Sequence, residues 1–139
     1  MSDRSDEFYM RIALEEAALA AAEDEVPIGA VAVRGDRVLA RAHDKCATHH
    51  AEILAIEEAC RALGGWRLPD VTLYVTVEPC AMCAGAIVNA RVPTVVYGAP
   101  DPRFGALGSR LNINEAGLNH KAELRSGVLE EECRAAMAD

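Results

Sequence analysis

The sequence predicts an α/β fold, a three-layer α/β/α sandwich around a central mixed five-stranded sheet. Helical and strand-like segments alternate along the chain, which is typical of this class. Two of the strand-like segments are apolar almost throughout, as strands covered by helices on both faces tend to be. With 139 residues, the chain falls in the size range of one domain, and we expect a single domain over residues 1–139.

The first predicted elements are a helix, a hairpin and a second helix. Apolar residues recur at helical spacing from Ser5 to about Glu23, and Ser5 can cap this helix. The segment "PIGAVAVRGDRVLARAH" contains two β-rich runs on either side of a Gly-Asp turn. The helix in "HHAEILAIEEACRALGG" follows, with Thr48 as its expected N-cap and Gly64 at its end.

The second half of the chain alternates buried strands with helices. "VTLYVTV" is a strand that leads into "EPCAMCAGAIVNARV", where Pro79 suits the start of a helix continuing from Ala81 to Ala90. "TVVYGA" is a second buried strand, and the Gly/Pro-rich loop "PDPRFGALGSRLN" follows it. "HKAELRSG" predicts a short strand, and "VLEEECRAAMAD" predicts a final helix. We expect an antiparallel initial hairpin and later strands made parallel by helical crossovers.

Composition and charge narrow the functional classes. Half of the residues are apolar and a quarter are charged, which are ordinary values for a globular protein. No apolar run approaches the roughly 20 residues that span a bilayer, and "MSDRSDEF" lacks signal-peptide features, so we expect a cytoplasmic protein. The net charge of −8 predicts weak non-specific affinity for nucleic acid. A nucleic-acid site must then be a local basic patch, with Arg103, Arg110 and Lys121 as candidates.

The cysteines include one C-x-x-C pair, Cys80 and Cys83, at the start of a predicted helix. This spacing places both sulfur atoms on one face of the first turn, where the partial positive charge of the helix stabilises thiolates. On spacing alone, the pair is a redox dithiol, half of a zinc site, or two small buried residues. Cys46, Cys60 and Cys133 are isolated and supply no second pair, so we interpret them as buried or surface thiols.

The start of another predicted helix carries complementary residues. His50 and Glu52 follow a strand and open a helix, as the C-x-x-C pair does, so both helix starts can meet at the carboxyl edge of the sheet. One imidazole and two thiolates leave one tetrahedral position of zinc open, as in catalytic sites. Zinc lowers the pKa of a bound water to about 7. Glu52 could then move protons between that water and a substrate.

The pairing of "HAE" with "PCAMC" resembles the H-x-E and P-C-x-x-C signature of the zinc-dependent cytidine/adenosine deaminases. Within that superfamily, the chain is most similar to the bacterial tRNA-specific adenosine deaminases. The similarity covers nearly the whole chain, through the segments "EVPIGAVAV", "HAEILAI", "DVTLYVTVEPCAMCAGAIVNARV", "VVYGAPDPRFGALGS", "LNHKAEL" and "GVLEEEC".

This resemblance implies a cytidine deaminase-like fold and hydrolytic conversion of the tRNA wobble adenosine to inosine with release of ammonia. It implies that His50, Cys80 and Cys83 hold Zn²⁺ and that Glu52 is the catalytic proton shuttle. It also implies a homodimer whose RNA groove uses both subunits. The substrate-binding residues that we expect are Val26, Pro27, Ile28, Asp44 and Asp101.

The approach to the H-A-E motif departs from the family pattern. Members usually have an asparagine that hydrogen-bonds the purine ring and then a longer loop, whereas this chain has "AHDKCATHHAE". Asp44 falls near the asparagine position, and His49 replaces the usual alanine. An ionised aspartate only accepts hydrogen bonds, so Asp44 suits a substrate edge that offers an N–H. The competing interpretation of Asp44 is a turn former.

Two further hypotheses follow from the sequence. Many relatives continue with a basic, aromatic tail where this chain ends in "CRAAMAD", and the net charge is negative. The alternative function is therefore the same hydrolytic deamination of a free nucleobase, nucleoside or related amino-heterocycle. The other hypothesis is an inactive metal-binding scaffold, against which Glu52 argues because a structural site needs no proton shuttle. We also expect Trp66 to cover the core and His120 to make a structural hydrogen bond.

Overall fold

The structure, a computed structural model, describes residues 5–137. Its helices and strands are α1 (Asp6–Ala22), β1 (Gly29–Arg34), β2 (Arg37–His43), α2 (Ala51–Leu63), β3 (Val71–Val77), α3 (Ala81–Asn89), β4 (Thr94–Ala99), β5 (Glu123–Ser126) and α4 (Glu130–Met137). A short 3₁₀ helix, Ile113–Glu115, lies between β4 and β5. This order agrees with the sequence prediction, although the last two residues of the predicted final helix lie outside the described residues.

The five strands form one mixed sheet in the order β2-β1-β3-β4-β5. Strand β1 is antiparallel to both β2 and β3, whereas β3, β4 and β5 are parallel. Strands β2, β3 and β4 therefore run in the same direction, and their carboxyl ends meet at one edge of the sheet. The segment that precedes β1 reaches the same edge, because β1 runs the opposite way.

Helices cover both faces of the sheet, which confirms the predicted three-layer fold. One core contains residues of α1 and α4 packed on Val31, Val33 and Tyr74. The core on the opposite face contains residues of α2 and α3 packed on Leu73 and Val75. Neighbouring residues of one strand thus enter different cores, as the alternation of side chains along a strand requires.

Local residues explain where the helices begin and end. The hydroxyl oxygen of Ser5 accepts a hydrogen bond from the Phe8 N–H at 3.2 Å, which confirms Ser5 as the cap of α1. Gly64 ends α2 in the left-handed region with φ of 74°, as predicted. Gly29 lets β1 approach α1 closely, because a β-carbon there would overlap the carbonyl oxygen of Ala13.

Two local predictions are wrong. The N-cap residue of α2 is His50 rather than Thr48, and the side chain that bonds the start of this helix is Asp44. Trp66 does not cover the core: it is 72% exposed, and the Arg67 guanidinium lies 5.1 Å from its ring centroid. Trp66 follows the glycine end of α2, which directs the chain outward before Leu68 returns to the core.

Across residues 5–137, no helix combines the length and the apolar character that crossing a bilayer requires.

Candidate active site

The carboxyl edge of the sheet gathers the chemically active residues. Asp44 follows β2, Glu78 follows β3, and Asp101 follows β4 after Pro100. Helices α2 and α3 begin at the same edge, so their first turns bring His50 and Cys80 to within 3.6 Å between Nδ1 and Sγ. The convergence predicted from two helix starts is therefore present.

His50, Cys80 and Cys83 form the only cluster within residues 5–137 whose side-chain atoms are placed to share a metal ion. The Nδ1 of His50 lies 3.6 Å from the Cys80 Sγ and 3.5 Å from the Cys83 Sγ. Zinc bonds of about 2.0–2.1 Å to nitrogen and about 2.3 Å to sulfur in a tetrahedron place these atoms about 3.6 Å apart. The donor set and its spacing therefore fit Zn²⁺.

The two thiols have opposite proton affinities. A hydrogen bond from the Cys83 thiol, followed by backbone N–H bonds at the start of α3, lowers the pKa of Cys80 to about 5 although burial opposes this change. The same bond to Cys80, together with burial, raises the pKa of Cys83. The Cys80 sulfur at the helix start is therefore the more readily deprotonated of the two. A bound cation would favour deprotonation of Cys83 as well, because metals bind the deprotonated sulfur.

Glu52 lies on the first turn of α2 and is only 3% exposed. Its Oε1 is buried and has no hydrogen-bond partner among residues 5–137. Burial, aided by the nearby negative charges of Asp44 and Cys80, raises the pKa of Glu52 to about 7. A carboxyl with this pKa can both take up and release a proton near neutral pH.

Beside this site lies a cavity of about 550 Å³, which is large enough for a nucleobase. Of the predicted substrate residues, Val26, Ile28, Asp44 and Asp101 line it, whereas Pro27 does not. His50, Glu52 and Cys80 also line it. The lining residues that sequence reasoning missed are Ala47, Val77, Glu78, Met82, Phe104 and Met137.

Asp44 has the structural role considered for it, and it also lies beside the cavity. Its Oδ1 accepts the N–H of Ala51 at 2.6 Å and so holds the start of α2, which is a structural role. The residue is 4% exposed and also borders the cavity. Burial raises the pKa of Asp44, although the hydrogen bond from the Ala51 N–H acts to lower it.

Asp101 is also part of the framework of its loop. Its Oδ1 accepts the N–H groups of Arg103 at 3.0 Å and Phe104 at 3.1 Å, which closes a tight turn after β4. One carboxylate oxygen of Asp101 is thereby committed to the backbone. Asp101 still borders the cavity, so the turn places it at the cavity edge.

Glu78 is a buried residue that sequence reasoning missed. Its Oε2 accepts the N–H groups of Leu107 and Ser109, each at 3.0 Å, and its Oε1 accepts the Asp101 N–H at 3.1 Å. The Ser109 hydroxyl donates to Oε1 as well. A glutamate directly after a buried strand and before the Pro-Cys turn was the available signal, because a buried carboxylate needs donors.

Four other candidate residues do not line this cavity. His120 hydrogen-bonds the Val92 carbonyl at 2.7 Å, as expected for a structural role. Lys121 pairs with Glu115 at 2.8 Å, so its charge is already matched. Cys46 is exposed and Cys133 is buried, and both are free thiols.

Sequence comparison places the chain among deaminases. The model of the MafB19-like deaminase family matches residues 4–132. A tRNA-specific adenosine deaminase of Bacillus subtilis is 54% identical over 134 residues, which cover 92% of this chain and 83% of that protein. A tRNA-specific adenosine deaminase of Streptococcus pyogenes serotype M1 is 42% identical over 132 residues, which cover 91% and 77%.

Comparison with solved structures also places the chain among deaminases. A solved structure from work on A-to-I editing by tRNA:A34 deaminases at the wobble position has a TM-score of 0.88 and 45% identity, and the match covers 92% of this chain and 97% of that one. Because the family model spans nearly all of the chain and the relatives are close, this chain belongs to the MafB19-like deaminase family and is a hydrolytic deaminase of the cytidine/adenosine deaminase superfamily.

Proposed function

We propose that this deaminase converts the wobble adenosine of a tRNA anticodon to inosine, with consumption of water and release of ammonia. The observation that carries the proposal is the buried Glu52, whose Oε1 lacks a partner among the described residues, in a nucleobase-sized cavity that His50 and Cys80 also line. The substrate class is supported by the relatives named tRNA-specific adenosine deaminases, which are 54% and 42% identical.

His50, Cys80 and Cys83 hold Zn²⁺ in this proposal, and their spacing supports it. When bound, zinc supplies a water molecule activated for attack on a purine carbon. The ligand set comes from both helix starts, so metal binding also ties α2 to α3. The metal content of the purified protein tests this part: we expect about one zinc per chain, and less than half an equivalent after metal-replete expression contradicts it.

The protein's own groups carry the protons. Glu52 accepts a proton from the attacking water and passes it to the purine nitrogen N1. It then takes the proton of the new hydroxyl group on the purine carbon and delivers it to the departing amine, so that the carbonyl of inosine forms as ammonia leaves. Val26 and Ile28 contribute apolar walls beside the base and help to exclude bulk water. Asp44 holds the start of α2 through Ala51, and thereby fixes His50 and Glu52 relative to the base.

The chain acts in this proposal as a cytoplasmic homodimer. Helices α2 and α3 border an exposed groove of about 480 Å³ whose lining includes Ile53, Trp66 and Ala86. The 72% exposure of Trp66 supports an interface there, because a large exposed apolar side chain favours contact with a partner. Light scattering should give about twice the chain mass of 14.9 kDa, and Trp66→Glu should lower it. A wild-type monomer at micromolar concentration contradicts the dimer.

The substrate is tested by incubating the protein with an anticodon stem-loop and, separately, with free adenine, guanine, cytosine and their nucleosides. We expect inosine in the stem-loop and no ammonia from the free compounds. The same stem-loop with the adenosine outside the wobble position is the matched control. Ammonia from a free base, with an unchanged stem-loop, contradicts the tRNA proposal.

One observation favours a free base as the second candidate. Asp44 borders the cavity and, when ionised, has only acceptor atoms in its side chain. The Watson–Crick edge of guanine offers a ring N–H donor, whereas that of adenine offers a ring acceptor. A solved structure of a Bacillus subtilis guanine deaminase has a TM-score of 0.66 and 35% identity to this chain, over 70% of this chain and 66% of that one. Deamination of guanine in the panel above would support this candidate.

A further inference from the structure

The mouth of the active-site cavity carries an exposed aromatic ring. Phe104 is 66% exposed and yet borders the cavity, so its ring stands at the boundary between cavity and solvent. Three other large apolar side chains that are at least one-third exposed border the same cavity: Val26, Met82 and Met137. Four exposed apolar side chains around one opening indicate that a ligand contacts the rim as well as the interior.

The loop that presents this ring is held from two sides. Asp101 accepts the N–H groups of Arg103 and Phe104, which fixes the backbone on which the ring is carried. Glu78 accepts donors from Asp101, Leu107 and Ser109, which anchors both sides of the turn to the end of β3. Gly105 packs so closely on Glu78 that a β-carbon there would overlap its carboxylate. The backbone that carries the ring is therefore preorganised, which lowers the entropic cost of binding.

We propose that Phe104 is a stacking platform for the nucleobase adjacent to the target adenosine. The inference rests on the proposed function, because only a target adenosine within a polynucleotide has adjacent nucleotides. When the target base is in the cavity, these nucleotides lie at the cavity mouth. Nucleobases of single-stranded loops stack on aromatic rings and on guanidinium groups. The Arg103 guanidinium lies 5.9 Å from the Phe104 ring centroid, so both kinds of group stand together at the rim. A cationic neighbour also suits the phosphate that joins the two nucleotides.

The platform is tested with steady-state kinetics of inosine formation in an anticodon stem-loop. Phe104→Ala should raise KM about tenfold, which equals about 1.4 kcal/mol, with kcat nearly unchanged, because stacking on a neighbour contributes equally before and in the transition state. Phe104→Trp should keep the wild-type KM. Leu118→Ala is the matched control, since Leu118 is 53% exposed but does not border this cavity, and its KM should stay unchanged.

The stacking partner is identified with stem-loops in which one neighbour of the target adenosine is abasic. One of the two abasic substrates should raise the wild-type KM about tenfold, and Phe104→Ala should then add no further increase. Independent effects of the variant and both abasic sites overturn the platform, as does a wild-type KM for Phe104→Ala. A change in the mass of Phe104→Ala by light scattering also overturns it, because the ring would then serve subunit contact. Failure of the wild-type protein to form inosine contradicts the proposed function instead.

Discussion

At the residue scale, the burial of the Glu52 carboxyl group lowers stability but serves the proposed activity. Glu52 is 3% exposed, and its buried Oε1 has no partner among the described residues, a cost that folding alone does not explain. Glu52→Gln keeps the shape but cannot shuttle a proton. We expect deamination to fall at least about a hundredfold, because general acid-base catalysis contributes about 10²–10⁴. Single-turnover inosine formation measures the loss.

The zinc content and thermal midpoint of Glu52→Gln provide the controls for this prediction. The zinc content should match the wild-type value, because Glu52 is not among the three clustered ligand residues. The thermal midpoint should match or exceed the wild-type value, because glutamine avoids the burial of a charge. Glu7→Gln, on the exposed side of α1, should leave activity unchanged. Wild-type turnover by Glu52→Gln contradicts the proton-shuttle role.

Asp44 offers a second substitution that changes chemistry with little change of shape. In Asp44→Asn, the amide oxygen can still accept the Ala51 N–H, while the other atom becomes a donor toward the cavity. Because adenine offers ring acceptors, KM for the stem-loop should fall about fivefold, the effect of about 1 kcal/mol for one hydrogen bond. Steady-state inosine formation measures it.

Asp44→Ala tests the structural role of Asp44 apart from any contact with the substrate. It leaves the Ala51 N–H at the start of α2 without its acceptor, so we expect the free energy of unfolding to fall by about 1 kcal/mol. Urea unfolding compares the wild type, Asp44→Asn and Asp44→Ala.

The kinetic prediction for Asp44→Asn has a contrary outcome. A higher KM for Asp44→Asn than for the wild type would show that the substrate donates a hydrogen bond to the carboxylate.

At the scale of elements, the loop between β4 and β5 depends on one carboxylate. Glu78→Gln converts one accepting oxygen into an NH₂ group, so donors from Leu107, Ser109 or Asp101 lose their acceptor. We expect the free energy of unfolding to fall by about 1–3 kcal/mol. Amide hydrogen exchange at Leu107 and Ser109 should accelerate. Ser109→Ala removes only the hydroxyl donor to Glu78 and keeps the Ser109 N–H, so it should give a smaller loss. Equal protection in both variants contradicts the anchor.

The contact between α1 and β1 depends on the lack of a side chain at Gly29. Gly29→Ala would drive its β-carbon into the carbonyl oxygen of Ala13, and backbone atoms cannot move aside without shifting the helix. We expect a loss of about 3 kcal/mol or more in urea unfolding. Gly85→Ala is the matched control within α3: it meets open space and should add about 0.5–1 kcal/mol. A tolerated alanine at Gly29 contradicts the close approach.

At the scale of the whole molecule, the fold was predictable because its signals are local. "VTLYVTV" and "TVVYGA" match β3 and β4 residue by residue, since their apolar runs reflect burial on both faces. Ser5 and Gly64 mark helix ends through their own backbone chemistry. The cluster of His50, Cys80 and Cys83 was predictable from two motifs that each open a helix after a strand.

What sequence reasoning missed depends on distant neighbours. The acceptor role of Glu78 becomes visible only when the loop of Leu107 and Ser109 folds back on it. The exposure of Trp66 reflects how α2 is joined to β3, which the residue type does not reveal. Asp44 replaces Thr48 at the start of α2 because a loop of six residues returns the chain to Asp44, a tertiary contact that a local capping rule cannot anticipate.

Two acidic residues of α1 join the helix to the sheet. Asp6 accepts hydrogen bonds from Tyr74 of β3 at 2.8 Å and from Arg125 of β5 at 2.9 Å. Glu16 pairs with Arg41 at 2.6 Å and with His43 at 2.7 Å, both on β2. Burial opposes ionisation of each carboxyl, but these hydrogen bonds outweigh it and lower the pKa of Asp6 and Glu16 below their ordinary values.

These lowered pKa values predict how acid unfolds the protein. The folded state binds the two protons more weakly than the unfolded chain, whose pKa values are about 3.9 and 4.3. The stabilisation is therefore complete above about pH 5 and is lost as the pH falls through the pKa values of the folded state.

Urea unfolding between pH 7 and pH 3 tests this linkage. Asp6→Asn and Glu16→Gln should each be less stable than the wild type at pH 7 and approach the wild-type stability at pH 3. Zinc release in acid affects all the proteins alike, so the differences isolate the carboxyls. Asp24→Asn is the control, because Asp24 is exposed and asparagine suits its φ of 59°; a constant gap between wild type and Asp6→Asn across the range contradicts the linkage.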